Sequence, residues 1–219
     1  MHIRQVQLTT RSIDETARFY RRLGCEVTID RETASVTVGS TRLVFRALEE
    51  MTGAHHLAFT IPTGTFAAAK AWVGTVATLL GSADVDEFEG PPGWNSRSVY
   101  FEGPDEQLLE LIERRDLGPG PGAVAPGVVP GLVSVSEVGI AVPDVLGAVE
   151  LLRRHGLEPY ADAPAAEFAP VGDVDGLLIL VSPGRMWFPT LDRTPSTAPV
   201  VLDIGLGSTV ELAPAVLLR

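Results

Sequence analysis

Two adjacent histidines stand at the start of an apolar run, GAHHLAFTIP (53–62), and they are half of the four histidines in the chain. If this run is a strand, its side chains alternate between two faces. His55 then shares a face with large apolar side chains, and we expect it to pack on the core. His56 shares the other face with Ala58 and Thr60, a small and polar face of the kind that lines a cavity. The His56 imidazole is therefore a candidate metal ligand, and a histidine that only begins a strand is the alternative.

Glu110 lies in a second apolar run, LLELIE (108–113), where it shares a face with Leu108 and Ile112. A carboxylate between apolar neighbours on a central strand is costly to bury unpaired. A metal ion, a buried arginine or water would each relieve that cost. Glu110 is a second candidate ligand, since imidazole and carboxylate both bind divalent metals. The alternative is that Glu110 pairs with His56 or with an arginine in a pocket without metal.

The stretch GPPGWNSRSVYF (90–101) places Trp94, Asn95 and Arg97 just before a predicted strand. Trp94 would cover a cavity and Arg97 would bind an anionic substrate. The alternative is an aromatic side chain over the edge of the core and a solvated arginine. Tyr100 lies on the face opposite Arg97, so the strand register decides which of the two faces the cavity.

Three segments must position these residues, and each has a short strand, a polar cap and an amphipathic helix. They span residues 5–27, 56–80 and 137–159, and short strand patterns follow each helix. Each unit is therefore predicted to be βαβββ. The repetition predicts an α+β fold with two paired units and a third.

The predicted domains are a paired domain over 1–115, a linker rich in proline and glycine over 116–131, and a third unit with C-terminal strands over 132–219. The third unit has Glu137 in its first strand but lacks a partner unit. A lone sheet leaves an apolar face uncovered. We expect the third unit to pair with the C-terminal strands or with another chain as a homodimer. The stretch GRMWFPT (184–190) is interpreted as packing and turn.

Composition excludes several classes of partner. The net charge is −11 and the pI is about 4.8, which argues against nucleic acid because phosphate contacts need clustered Lys and Arg. Cys25 is the only cysteine, so no intrachain disulfide can form and a reducing, cytoplasmic location is expected. No signal peptide is apparent, and no run approaches the roughly 18 apolar residues of a membrane span.

Three motifs carry a resemblance to a known superfamily. They are TARFYRRLG (16–24), HLAF (56–59) and VYFEGPDEQLLELIE (99–113). Together with the paired βαβββ units, they resemble the vicinal-oxygen-chelate superfamily, which includes the glyoxalase, bleomycin-resistance and extradiol-dioxygenase families. The resemblance implies curved mixed sheets around a cavity, with metal ligands on the inner face. Carried over by position, the implied ligands are Gln5, His56 and Glu110. The fourth position falls on Val44, which cannot bind a metal.

The resemblance also implies a reaction. A divalent ion (Fe, Mn, Ni or Zn) would act as a Lewis acid on a small oxygen-rich substrate, with Glu110 as ligand and proton acceptor. The implied activity is, in order of preference, that of an isomerase or lyase or that of a ring-cleaving dioxygenase. The expected substrate-binding residues are Gln7, Trp94, Asn95 and Arg97. The alternative is a metal-free protein that sequesters an antibiotic-type small molecule, and the acidic net charge would favour a cationic guest.

Overall fold

Each of the three units opens with a strand and a helix, as the repeated pattern predicts. The computed structural model describes residues 1–82, 84–118 and 131–219. Most of the predicted linker, residues 119–130, therefore lies outside the described residues. Among the described residues, no helix has both the length and the apolar character needed to cross a bilayer.

The first unit is a complete βαβββ unit. Its elements are β1 (Gln5–Thr10), α1 (Ile13–Arg22), β2 (Glu26–Asp30), β3 (Thr33–Val38) and β4 (Thr41–Ala47). Ser12 caps α1 by accepting a hydrogen bond from the Glu15 amide, 3.2 Å away. Gly24, at φ 73°, takes the left-handed conformation that ends the helix.

The second unit follows the same order with a more irregular middle. Its elements are β5 (His56–Thr60), α2 (Phe66–Val76), β6 (Leu79–Leu80), β7 (Phe88–Glu89), β8 (Ser96–Glu102) and β9 (Leu108–Arg114). A 3₁₀ turn over Pro104–Glu106 joins the last two strands. The two short strands β6 and β7 both pair with β8.

The third unit is shorter. Its elements are β10 (Ser134–Ala141), α3 (Val145–Arg153), β11 (Phe168–Asp173) and β12 (Gly176–Val181). Asp144 caps α3 through the Gly147 amide, 2.9 Å away. The strand expected directly after the helix is reduced to a single bridge between Pro159 and Val171. Three further strands complete the chain: β13 (Val200–Asp203), β14 (Val210–Ala213) and β15 (Val216–Leu218).

These strands form two sheets. One has seven strands in the order β14-β15-β13-β1-β4-β3-β2. The other has eight strands, with the path β11-β12-β10-β5-β9-β8-β6 and β7 paired to β8. The second unit therefore pairs with the third, because β10 runs antiparallel to β5 with Val138 opposite Leu57.

This pairing corrects two sequence-based expectations. The first unit does not share a sheet with the second, and the third unit needs neither the C-terminal strands nor another chain to cover its edge. The C-terminal strands instead extend the first unit, with β13 antiparallel to β1. Strand patterns are local, whereas the choice of a partner edge depends on contacts between distant parts of the chain. The pattern of repeats therefore could not decide it.

One hydrophobic cluster joins both sheets and all three helices. Strand β5 turns Leu57 and Phe59 into this cluster. Its opposite face carries His56 and Ala58, because successive side chains alternate. A smaller cluster that includes Trp94 and Trp187 lies around that second face. The eight-stranded sheet therefore has one face on the main core and the other toward a cavity.

Candidate metal centre

Three buried side chains converge on the cavity face of the eight-stranded sheet. They are His56 on β5, Glu110 on β9 and Glu137 on β10. A nitrogen of the imidazole and one oxygen of each carboxylate lie within 4.8 Å of one another. All three residues are at most 5% exposed, so none of these groups is hydrated as it would be on the surface.

Strand register explains why these residues meet. Strand β5 lies between β9 and β10, and Ala58 pairs with Glu110 on one side and with Glu137 on the other. The two carboxylates therefore flank a methyl group that leaves space above the sheet. His56 lies two residues before Ala58 on the same face. This register places an imidazole and two carboxylates around one point.

The orientation of the His56 ring is set by the backbone. Its Nδ1 lies 3.1 Å from the Leu108 carbonyl oxygen, and a carbonyl only accepts. Nδ1 therefore donates, and in the neutral ring Nε2 has a lone pair to offer. Nε2 is 3.8 Å from Oε2 of Glu110 and 3.9 Å from Oε2 of Glu137. These separations are too long for direct hydrogen bonds.

A fully buried arginine orients Glu137. The Arg114 guanidinium donates from Nη2 to Oε1 of Glu137 at 2.5 Å and from Nε to the Ser136 hydroxyl at 2.9 Å. It lies beside the rings of Trp94 and Tyr160, with its Cζ 5.5 Å and 5.8 Å from their centroids, and the two rings contact each other edge to face. One oxygen of Glu137 is thereby used by Arg114, and the other faces the centre.

The close approach of buried charged groups shifts the pKa values of Glu110 and His56. Burial and then the charge of Glu137 raise the pKa of Glu110 to about 7, against the opposing effects of His56, Ser98 and Arg114. Burial lowers the pKa of His56, but its interactions with Glu137 and Glu110, together with the Leu108 carbonyl, outweigh burial, so this pKa lies above its ordinary value. A small cation between the three groups would relieve the repulsion between the carboxylates.

The donor set fits a divalent metal ion. One imidazole nitrogen and two carboxylate oxygens are ligands that Mn, Fe, Ni and Zn accept. Ligand atoms bound to one such ion at about 2.1 Å lie on the order of 3–3.5 Å apart, which is close to the 3.8 Å and 3.9 Å separations at His56. Leu108 and Arg114 supply the outer hydrogen bonds that usually orient such ligands.

The centre opens into a cavity of about 560 Å³. Its walls are largely apolar and rich in aromatic rings, a composition typical of a small-molecule site. The apolar wall residues are Phe88, Trp94, Tyr100, Ile112, Phe168, Ile179, Trp187 and Phe188. Two buried polar atoms of lining residues, Trp94 Nε1 and Ser96 Oγ, have no hydrogen-bond partner among the described residues. Such atoms are ready to bond a ligand or a water.

Trp187 forms a fixed wall beside His56. Its ring centroid is 5.1 Å from that of His56, and its Nε1 donates to the Ala54 carbonyl at 2.9 Å. The indole packs over Gly139, where a Cβ would lie 2.6 Å from Trp187 Cη2 and 2.8 Å from His56 Cβ. The absence of a side chain at Gly139 therefore lets both rings lie in place. The stretch 184–190, interpreted from sequence as packing and turn, contributes to the cavity.

Gln5 and Gln7 are not part of this centre. Both lie on β1 in the seven-stranded sheet, where Gln5 pairs with Asp203 and Arg42. Val44, opposite Gln7, is in the same sheet. The assignment of Gln5 as a ligand and Gln7 as a substrate contact was wrong, because it assumed that the first and second units share a sheet.

The other expected substrate contacts divide between the two faces of β8 and the loop before it. Trp94 lines the cavity. Arg97 points away from it, 3.4 Å from Oε2 of Glu113 and with its Cζ 4.0 Å from the Phe66 ring centroid. Asn95 is exposed and donates to Asp116 at 2.6 Å. The prediction for Asn95 and Arg97 was wrong because the register turns Ser96, Ser98 and Tyr100 to the cavity.

Sequence reasoning did not assign Glu137 to the centre, although a sign of its role was present. Glu137 lies in the opening strand of its unit, where the resemblance placed His56 and Gln5 in theirs. Its role follows only once β10 is known to pair with β5.

His55 faces the core, where its Nε2 lies 3.2 Å from the Thr9 hydroxyl and burial lowers its pKa to about 4.

Comparison with known proteins identifies the fold. No family model and no curated protein sequence matches the chain. Among solved structures, this chain is similar to a candidate dioxygenase from Bacillus subtilis. The match covers 93% of this chain and 70% of the dioxygenase chain, at 16% identity and a TM-score of 0.63. The chain is also similar to glyoxalase I from Zea mays. This match covers 92% of this chain and 74% of the glyoxalase chain, at 16% identity and a TM-score of 0.56. At identities this low, the structural similarity establishes a shared fold alone.

Proposed function

We propose that this chain, which has the fold of the vicinal-oxygen-chelate superfamily, binds one divalent metal ion through His56, Glu110 and Glu137. The bound ion would hold a small oxygen-rich substrate in the cavity beside the centre. The observation that carries the proposal is the convergence of the Nε2 lone pair with two buried carboxylates. Burial of two like charges this close is unfavourable unless a cation compensates them.

When bound, the ion would act as a Lewis acid that polarises a vicinal pair of substrate oxygens. His56, Glu110 and Glu137 would hold it, and Arg114 would keep Glu137 to one coordinating oxygen. The aromatic walls would exclude water from the substrate. The residues thus combine a charged centre with a largely apolar surrounding.

Proton transfer is assigned to Glu110. Bound to the ion through one oxygen, the Glu110 carboxylate would keep a second oxygen that can accept a proton from the substrate. Tyr100 is opposite Glu110 on the neighbouring strand and lines the same cavity. Burial, together with the charges of Glu110 and Glu137, raises the pKa of Tyr100 well above its ordinary value. Its hydroxyl therefore stays protonated and can donate a hydrogen bond to a substrate oxygen.

The donor set favours an isomerase or lyase over a ring-cleaving dioxygenase. Non-haem Fe(II) oxygenases typically use two histidines and one carboxylate. This centre has one histidine and two carboxylates. Such oxygen-rich sets suit ions that act as Lewis acids without changing oxidation state.

Elemental analysis of the protein after incubation with Mn, Ni or Zn and gel filtration tests the proposal. We expect about one metal ion per chain. His56→Ala, Glu110→Ala and Glu137→Ala should each lose it, because each removes a ligand. Gln5→Ala is the matched control and should bind as the wild type does. Retention of metal by all three ligand variants, or loss of it in Gln5→Ala alone, would contradict the proposal.

A metal-free binding protein is the second candidate function. The raised pKa of His56 supports it, because a protonated imidazole between two carboxylates would compensate part of their charge. Aromatic walls can also bind a cationic guest. No metal in the wild type, even after reconstitution, would favour this function.

A further inference from the structure

Arg185 differs from the other basic residues near the cavity. It lines the cavity, and its guanidinium stacks on Phe168, with Cζ 4.6 Å from the ring centroid. No carboxylate lies within ion-pair distance of it among the residues that the structure describes. The half-buried Arg185 side chain is therefore oriented by an aromatic ring while its hydrogen-bond donors are not committed to an acid.

The acidic residues of the cavity rim already have cationic partners. Glu89 accepts two hydrogen bonds from Arg115, at 2.8 Å and 2.9 Å. Glu87 is 2.7 Å from the Lys70 amine. Arg185 is thus the cation on this rim that an incoming anion would meet without displacing a protein carboxylate.

The net charge of the metal-loaded centre also favours an anionic ligand. A divalent ion would be neutralised by the carboxylates of Glu110 and Glu137, and Arg114 then leaves one positive charge beside them. Arg185 adds a second positive charge in the same cavity. The filled site would therefore attract an anion, although the whole chain carries a net charge of −11.

The layout of the strands sets the shape of the ligand. Tyr100 on β8 and Phe168 on β11 lie toward opposite edges of the sheet, with the three candidate ligands on the central strands between them. Strands β10 and β11 are separated by two strand spacings of about 4.8 Å each. A ligand bound both at the centre and at Arg185 would lie across this gap, among the aromatic side chains of the cavity wall, which suit a flat ring.

We infer that the substrate is a small aromatic carboxylate with a vicinal pair of oxygens, held by the metal at the oxygen pair and by Arg185 at the carboxylate. This inference rests on the proposed metal-dependent function. It adds a substrate class and a specificity-determining residue. A bidentate contact from the guanidinium fork to a carboxylate would supply the discrimination.

Calorimetric titration with two probes tests the inference on protein loaded with Zn or Ni. Catechol and 3,4-dihydroxybenzoate share the ring and the vicinal hydroxyls and differ only in the carboxylate. We expect the wild type to bind the carboxylate probe at least about tenfold more tightly. Arg185→Gln should bind both probes equally, and Arg185→Lys should keep part of the preference.

Arg31→Gln is the control for the loss of one positive charge, since Arg31 is exposed in the turn between β2 and β3 of the other sheet. It should keep the full preference. Binding of both probes with equal affinity by the wild type, or an unchanged preference in Arg185→Gln, would overturn the inference while leaving metal binding intact. Failure of the protein to take up metal, measured separately by elemental analysis, would overturn the proposed function and this inference with it.

Discussion

At the scale of single residues, the centre carries a cost that its proposed function explains. Glu110 and Glu137 are buried close together, and only Glu137 has a buried arginine as a direct partner. A protein selected for stability alone would fill such a position with apolar side chains. Groups of this kind are typical of functional sites, where binding requires an arrangement that weakens the empty protein.

Replacement of Glu110 by glutamine should therefore stabilise the metal-free protein. The pKa of Glu110 is raised from 4.5 to about 7. Because the folded-state pKa is the higher one, stability present below about pH 4.5 is lost as the pH rises through about 7. At pH 8, Glu110→Gln should raise the free energy of unfolding by on the order of 1–3 kcal/mol. The gain should be smaller at pH 5.

Thermal unfolding in the presence of a chelator measures this effect, with the exposed Glu26→Gln as the charge-matched control. In the same assay, added metal should stabilise the wild type and not Glu110→Gln. A variant that is less stable than the wild type at pH 8 without metal would show that Glu110 stabilises the fold directly.

The sequence located part of the centre and missed the rest for a physical reason. Strand alternation placed His56 and Glu110 on cavity-facing positions, and the structure has both there. Their role as ligands remains our proposal. Glu137 was left out and Gln5 was included because alternation reports which face a residue is on, not which strand lies beside it. The same uncertainty in register led to the choice of Arg97 over Tyr100.

At the scale of elements, the wall formed by Trp187 depends on one glycine in β10. A methyl group at Gly139 would overlap the indole of Trp187 and the His56 side chain. Gly139→Ala should therefore displace His56 and lower the metal affinity at least about tenfold, because the orientation of a ligand controls its binding. Overpacking should also lower stability by about 1–3 kcal/mol.

Gly184 provides a matched control for this prediction. It precedes Trp187 by three residues, and a Cβ there would meet nothing within 4 Å. Gly184→Ala should bind metal as the wild type does. Metal titration of both variants measures the difference, and equal affinities would mean that Trp187 does not hold His56 in place.

Local elements were largely readable from the sequence. Caps and glycines at the ends of α1 and α3 gave the strand–helix repeat. The second strand of the third unit was overpredicted, since it amounts to one bridge. The stretch 184–190 was underestimated, because it has no repeating pattern and its role comes from contacts with distant strands.

At the scale of the whole molecule, the two sheets share a fold but differ in their chemistry. The eight-stranded sheet combines the second and third units and has the His56, Glu110 and Glu137 cluster. The seven-stranded sheet has Gln5 and Val44 at the corresponding positions, and no comparable cluster occurs in it among the described residues. The fold class followed from the repeats. The pairing of the second unit with the third, and of the first unit with the C-terminal strands, could not be predicted from the repeats. This pairing depends on contacts across long separations in the chain.

The most direct measurement is an anomalous difference map from crystals grown with Mn or Zn. The account predicts one strong peak within bonding distance of His56 Nε2 and of the carboxylates of Glu110 and Glu137. It predicts no peak beside Gln5. An empty map at the cluster, despite metal in the crystal, or a peak on the seven-stranded sheet would contradict the account.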